Sequence, residues 1–192
     1  MKPLKSVDDL LELYQTYGND LYGEDVTQLD HALQCAALAA HRGDPPELII
    51  AALLHDVGHL AELADGVDYE QSTERDHAHD RIGAKLLEDL YPESVTKPIA
   101  LHVIAKRWRC TVDPAYEQGL SPASVTSLAL QGGHLSPHHR AEFEADPYFA
   151  VSVALRELDD AGKVTDLEVE DLDAYEGMLR RLVSGSTIGR AR

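Results

Sequence analysis

One stretch constrains this chain more than any other: Leu48-Ile49-Ile50-Ala51-Ala52-Leu53-Leu54-His55-Asp56-Val57-Gly58-His59. An unbroken apolar run leads into His and Asp side by side, and a second His follows one turn later. Apolar residues on every face predict a helix buried inside the protein. A carboxylate carried into such an interior must be hydrogen-bonded, ion-paired or bound to a metal, because an unpaired buried charge is too costly. His55 can offer a neutral ring nitrogen to a divalent cation. Asp56 can bridge two cations with its two oxygens, and His59 lies on the same helix face as His55. The bland alternative for this stretch alone is a helix end with solvated His and Asp.

The chain has 192 residues, enough for one domain with a sizeable core. The sequence predicts a single domain over residues 1–183 and a loose Gly/Ser/Arg-rich tail over 184–192. Asp and Glu total 34 against 17 Lys and Arg, a formal net charge of −17. Nucleic-acid binding needs a basic footprint and is disfavoured, as is docking to an anionic membrane surface. No apolar run reaches membrane-spanning length, and Met1-Lys2-Pro3 opens no signal peptide. A cytoplasmic protein is expected. Cys35 and Cys110 make neither a metal knuckle nor a disulfide framework and read as reduced thiols.

Every segment reads as helix or loop, so the expected fold class is all-α, a helical bundle. Ser6 caps a first helix to Tyr17, with Asp9 in the capping-box position and Gly18 ending it. Thr27 and Asp30 open a second that carries His31 and runs to Gly43. The stretch from Leu48 to His59 forms the third. Ala61 to Asp76 reads as a polar, acidic loop or lid over the site. His77-Ala78-His79-Asp80 opens another helix, and Pro92 starts one containing His102 and Lys106. Arg107 to Gly119 reads as a loop. Ser121-Pro122 and Ser136-Pro137 each start a short helix. Pro147 opens the helix that carries Arg156 and Asp159, with Asp160 as its solvated twin. Asp171 caps the last. His134, His138 and His139 have no apolar context and read as surface residues.

The spacing of the histidines joins these elements. His31, His55, His79 and His102 follow one another at intervals of about one helix plus one turn. Successive bundle helices thus bring them to one central point, together with Asp56 and with Asp159 at the end of its own core-facing stripe. Four imidazoles and two carboxylates suit iron, manganese or zinc better than magnesium or calcium. Six ligands exceed what one open catalytic ion needs. They suit a dinuclear site bridged by Asp56, the ions roughly 3.5–4 Å apart. Such a site can activate water against a phosphoryl group or bind dioxygen, and ligand count does not choose between the two.

His31…His55-Asp56…Asp159 resembles the HD-domain superfamily, and the inserted His79 and His102 resemble its dinuclear branch. A closer resemblance covers Tyr22 to about Tyr175. It is to the mixed-valent diiron oxygenases that cleave organophosphonates. Five segments carry it: Gln28 to Gln34, Ala51 to His59, His102 to Arg107, Leu128 to Gly133, and Asp159-Asp160-Ala161-Gly162-Lys163. The resemblance implies two iron ions (Fe2+/Fe3+), one held by His31, His55 and Asp159, the other by His79 and His102, with Asp56 between them. It implies dioxygen as co-substrate. The substrate would chelate the second iron through its C1 hydroxyl and a phosphonate oxygen. Carbon–phosphorus cleavage would then give phosphate and a carboxylate. The small-molecule substrate would be 1-hydroxy-2-aminoethylphosphonate, yielding glycine, or its trimethylammonio analogue, yielding glycine betaine. Tyr22 and Glu24 match a Tyr and Glu that gate the iron and meet the substrate's cationic end, although one residue separates them here where relatives usually have two. Glu24, Asp65, Asp68 and Tyr69 are candidates for deciding between the two substrates.

The residues suit a phosphonate dianion on their own account. Lys106 lies one turn after His102, and His59 one turn after His55. Arg156 precedes Asp159 by three and can clamp two oxygens, or it can pair with Glu157 or Asp160. Ser124 and Ser127 share one face of a short helix and can donate hydroxyls. The competing readings are a dinuclear HD-domain phosphohydrolase with the same ligands and metal-activated water, and a non-catalytic metal-binding helical domain.

Overall fold

The computed structural model describes residues 4–21, 26–67 and 78–183. Tyr22, Glu24, Asp68, Tyr69 and the tail from 184 onward lie outside them. The described chain is all-α: α1 (Val7–Tyr17), α2 (Gln28–Arg42), α3 (Pro46–Leu54), α4 (Val57–Ala64), α5 (His79–Leu87), α6 (Glu93–Val112), α7 (Pro114–Gln118), α8 (Pro122–Leu130), α9 (Pro137–Glu144), α10 (Phe149–Ala161) and α11 (Leu172–Leu182). Among the described residues the extended structure is a single bridge between Leu21 and Thr27. No described helix is long and apolar enough to cross a membrane.

The helix starts follow the capping chemistry of the sequence. Ser6 and Asp9 form a reciprocal capping box. Thr27 accepts from the Asp30 amide and Gly43 closes α2 in the left-handed conformation. Ser121 and Ser136 cap α8 and α9, each followed by proline.

The centre of the bundle is α3, every residue of which from Leu48 to Leu54 is buried. It packs against α2, α6, α10 and α11. The small buried residues of α2, Ala32, Cys35, Ala36 and Ala39, allow that close approach. α10 lies along α6 and also touches α2 and α3, so the helices that carry the proposed ligands surround one another.

Three boundaries differ from the sequence reading. The stretch from Leu48 to His59 is two helices: α3 stops at Leu54, α4 starts at Val57, and His55-Asp56 is the joint, Asp56 standing at φ −102°, ψ 11°. The Tyr14 hydroxyl donates to the Leu53 carbonyl (2.7 Å), giving a partner to a backbone group at the end of the interrupted helix. Ala61 to Ala64 continue α4 instead of opening a loop. Arg107 to Val112 continue α6, a 20-residue helix whose charged last turns pack on α10, and Pro114–Gln118 is a further short helix.

Candidate metal centre

The four predicted histidines meet at the joint between α3 and α4, and the order in which they meet is informative. His31 Nε2 and His55 Nε2 stand 3.2 Å apart, and His79 Nε2 and His102 Nε2 stand 3.1 Å apart. Asp56 lies between the pairs. Its Oδ2 faces His55 (3.3 Å) and His31 (3.6 Å), whereas its Oδ1 faces His79 (3.4 Å) and His102 (3.6 Å). Asp159 Oδ1 faces the first pair at 3.4 and 3.8 Å. All six residues are buried, His31 and His55 completely.

The outer ring nitrogens fix the inner ones. His31 Nδ1 contacts the Gly162 carbonyl (2.7 Å), His55 Nδ1 that of Ala52 (2.9 Å) and His102 Nδ1 that of Ile99 (2.7 Å). A carbonyl only accepts, so each Nδ1 carries the hydrogen and each Nε2 of a neutral ring turns a lone pair inward. Both oxygens of Asp56 and Oδ1 of Asp159 are buried without a hydrogen-bond donor. Lone pairs thus converge on lone pairs, an arrangement that only cations or protons stabilise. Donors sharing one first-row ion at about 2.1 Å stand about 3.0–3.4 Å apart, and the paired nitrogens meet that spacing. The donor set therefore fits two ions, one for each oxygen of Asp56.

The titration behaviour follows the same division. Burial pushes the Asp56 carboxyl up, but His55, His79 and His59 around it hold it well below the usual carboxylate range. Burial likewise opposes a charge on His55, yet the Asp56 and Asp159 carboxylates raise it to about 10. Burial lowers His102 to about 4 and, with His59 beside it, holds His79 well below an ordinary imidazole. Cys35 Sγ lies 3.8 Å from His31 Nδ1, but burial drives its pKa well up and the thiol donates to the Leu158 carbonyl (3.4 Å). It is a neutral neighbour, not a ligand.

Glycines make room for this packing. A Cβ on Gly58 would collide with the His79 carbonyl, and one on Gly162 with Cys35 Sγ. Gly58 therefore sets how closely α4 meets α5, and Gly162 how closely α10 meets α2.

The remaining candidates surround the histidines at three levels of contact. Lys106 is buried at 3% exposure in mid-helix, and its Nζ donates to Ser127 Oγ (2.9 Å). Burial, with Arg156 and Lys163 nearby, lowers its pKa to about 8. Ser124 is buried one turn before Ser127. The His59 ring stacks on His79 (centroids 4.1 Å, planes 21° apart), and its Nδ1 contacts Glu62 Oε2 (3.3 Å). Arg156 is buried and donates through Nη1 to Asp159 Oδ2 (2.6 Å), through Nη2 to Asp160 Oδ1 and through Nε to Tyr116 (3.2 Å). Glu157 pairs instead with Arg42 (3.5 Å). Asp160, expected to be solvated, accepts from Arg156, Arg109 and Tyr116. Asp65 ends α4, and His134, His138 and His139 are exposed.

Residues 29–130 match the HD domain family. The chain belongs to the HD-domain proteins. It is 45% identical over 174 residues to the hydroxymethylphosphonate dioxygenase of Gimesia maris, covering 90% of this chain and 86% of that one. It is 40% identical over 172 residues to the [1-hydroxy-2-(trimethylamino)ethyl]phosphonate dioxygenase (glycine-betaine-forming) of Leisingera caerulea, covering 89% and 87%. An uncharacterised protein of Acanthamoeba polyphaga mimivirus, L432, is 33% identical over 96% of this chain and 84% of its own. The HD-domain fold and the dioxygenase kinship expected from the sequence both stand.

Proposed function

We propose that this HD-domain protein is a diiron oxygenase that cleaves the carbon–phosphorus bond of a 1-hydroxyalkylphosphonate. The observation that carries the reading is the division of Asp56, one oxygen to each histidine pair, in a chain whose relatives are named phosphonate dioxygenases. His31, His55 and Asp159 would hold one iron, His79 and His102 the other, and Asp56 would join them. When bound, the two irons supply redox chemistry with dioxygen as co-substrate. Atom balance then requires one phosphonate and one O2 to give one carboxylate and one phosphate. Hydroxymethylphosphonate gives formate, the 2-amino compound glycine and the trimethylammonio compound glycine betaine.

The chain's own residues bind and orient the substrate. The Lys106 ammonium, the Ser127 and Ser124 hydroxyls and the two Arg156 N–H groups not given to Asp159, Asp160 and Tyr116 face a dianion with donors. His59, held against His79, donates from the other side of the second metal pair. Burial of Asp56, Asp159 and the histidines excludes water that would compete with the C1 hydroxyl and with dioxygen. Discrimination at the far end of the substrate falls to Glu24, Asp65, Asp68 and Tyr69.

Three phosphonates test the reading: hydroxymethylphosphonate, 1-hydroxy-2-aminoethylphosphonate and its trimethylammonio analogue. Iron-loaded enzyme is partly reduced, its EPR spectrum recorded with each, and phosphate release followed in air and under argon. A coupled mixed-valent signal that shifts with one phosphonate, and phosphate only in air, is expected. Phosphate released from ordinary esters under argon, with no spectral response, would replace this reading by the dinuclear hydrolase.

A further inference from the structure

Beside the metal ligands stands a closed set of side chains that the ligand count does not use. Asp159 and Asp160 are consecutive on α10, so their carboxylates diverge by about 100° around the helix axis. Arg156, three and four residues earlier, reaches both: Nη1 to Asp159 Oδ2 at 2.6 Å and Nη2 to Asp160 Oδ1. The Tyr116 hydroxyl accepts from Arg156 Nε (3.2 Å) and donates to Asp160 Oδ2 (2.8 Å). Arg109 donates to the same Asp160 oxygen (3.4 Å), and its guanidinium lies 4.0 Å over the Tyr116 ring. Asp159 is 1% exposed, and the Asp160 side chain 23%.

We propose that Asp160 and Tyr116 are positioning residues that aim the Arg156 guanidinium, and through it fix the Asp159 ligand and the edge of the fork offered to the phosphonate. An arginine side chain free to rotate would offer Asp159 a changing partner. Anchored at Nη2 and Nε by groups on the outer side, it has one remaining orientation. That orientation takes Asp159 Oδ2 out of use and leaves Oδ1, the oxygen without a donor, facing His31 and His55. The carboxylate is thereby a one-oxygen ligand. The short helix α7 positions Tyr116 for this array, together with Arg109 from the last turn of α6. Outer partners of this kind alter metal affinity or activity by about 10–100-fold when removed.

The ligand and substrate parts of the inference rest on the oxygenase reading, but its decisive test needs no turnover. Iron-loaded wild type, Asp160→Asn, Tyr116→Phe and Arg156→Lys are each exposed to a chelator. The loss of iron per chain is timed, and the substrate-free mixed-valent EPR line is recorded. Asp160→Asn is expected to release one of two irons about tenfold faster and to shift the EPR line, and Arg156→Lys to do the same because charge without the fork does not hold the geometry. Tyr116→Phe, which removes one half-buried hydroxyl and does not threaten the fold, is expected to give a smaller change in the same direction. On fully reloaded enzyme, KM for the phosphonate rises more than kcat falls. Iron release and EPR lines matching wild type in both Asp160→Asn and Tyr116→Phe overturn the inference. Failure of every variant and wild type to turn over a phosphonate, with the iron effects intact, would sink the proposed reaction but not the positioning role.

Discussion

Lys106 gives the sharpest link between stability and function. An ammonium buried at 3% exposure, with the cations Arg156 and Lys163 near it, has its pKa lowered from 10.5 to about 8. The unfolded chain holds that proton more tightly than the folded one, by about 2.5 pK units, or about 3 kcal/mol. The sign follows from the direction. Below pH 8 both states are protonated and the fold carries the whole penalty. As pH rises from 8 to about 10.5 the folded lysine is neutral while the unfolded one still binds its proton, so stability increases through that window. Lys106→Met removes the ammonium and keeps the apolar stem. Allowing for the hydrogen bond that methionine cannot make to Ser127 Oγ, the metal-free variant should be about 2–3 kcal/mol more stable at pH 7, a Tm rise of about 4–12 °C for a chain of this size. That gain should shrink towards zero by about pH 10.5. Thermal unfolding of the two metal-free proteins at several pH values measures it, and the difference between them cancels the shared titrations of Tyr14, Tyr91 and Cys35. The same variant should lose about 10–100-fold in kcat/KM for the phosphonate, the worth of a charge-assisted hydrogen bond. A variant less stable than wild type at pH 7, or a difference that does not change with pH, would refute the reasoning.

Other perturbations act on the metal pair. Asp56→Asn keeps the shape of the bridge but removes its charge. Wild type loaded at 1,000 times Kd should gain about 4 kcal/mol, or about 8–16 °C, over its metal-free form; the variant should bind at most one iron by elemental analysis and lose most of that gain. Gly58→Ala drives a methyl into the His79 backbone; a destabilisation of about 1–3 kcal/mol in denaturant titration is expected, with one iron per chain retained at His31, His55 and Asp159. Tyr14→Phe leaves the Leu53 carbonyl at the α3–α4 joint without its donor and should cost about 1–3 kcal/mol by the same titration.

Much of this site was legible because its chemistry is periodic. Four histidines at intervals of one helix plus one turn can only converge if the helices pack side by side, and the capping residues Ser6, Thr27, Ser121 and Ser136 mark where those helices begin. The joint at His55-Asp56 was not legible. Nothing in Leu53 to Val57 breaks a helix locally; the break lies where distant groups meet, the Tyr14 hydroxyl on the Leu53 carbonyl and the α5 backbone against Gly58. The same holds for α6 beyond Lys106. Its charged run looks like a loop until Ser127 of α8, the Gly133 carbonyl beyond α8 and Asp160 of α10 give Lys106, Arg107 and Arg109 their partners. Asp160 failed for a related reason. Its spacing from Arg156 admits a pair, but only the placement of Tyr116 and Arg109 makes that pair part of the site.

The ligands alone serve hydrolysis and oxygenation equally, so the case for a phosphonate rests on what surrounds them. Two divalent ions against Asp56 and Asp159 leave positive charge over, and beside Asp159 the chain adds Arg156, Lys163 and Lys106, with Asp160 set against Arg156. Buried away from water, that local surplus is costly to hold. A bound dianion cancels most of it, and a monoanion cancels less. The monomethyl ester of the phosphonate keeps the carbon–phosphorus bond and the C1 hydroxyl but carries one charge fewer. It should therefore compete with the parent compound about 10–100-fold less well, the worth of one charge-assisted contact in a buried site. Binding of the ester as tight as that of the dianion would mean that Lys106 and Arg156 are charged for some purpose other than holding the phosphonate.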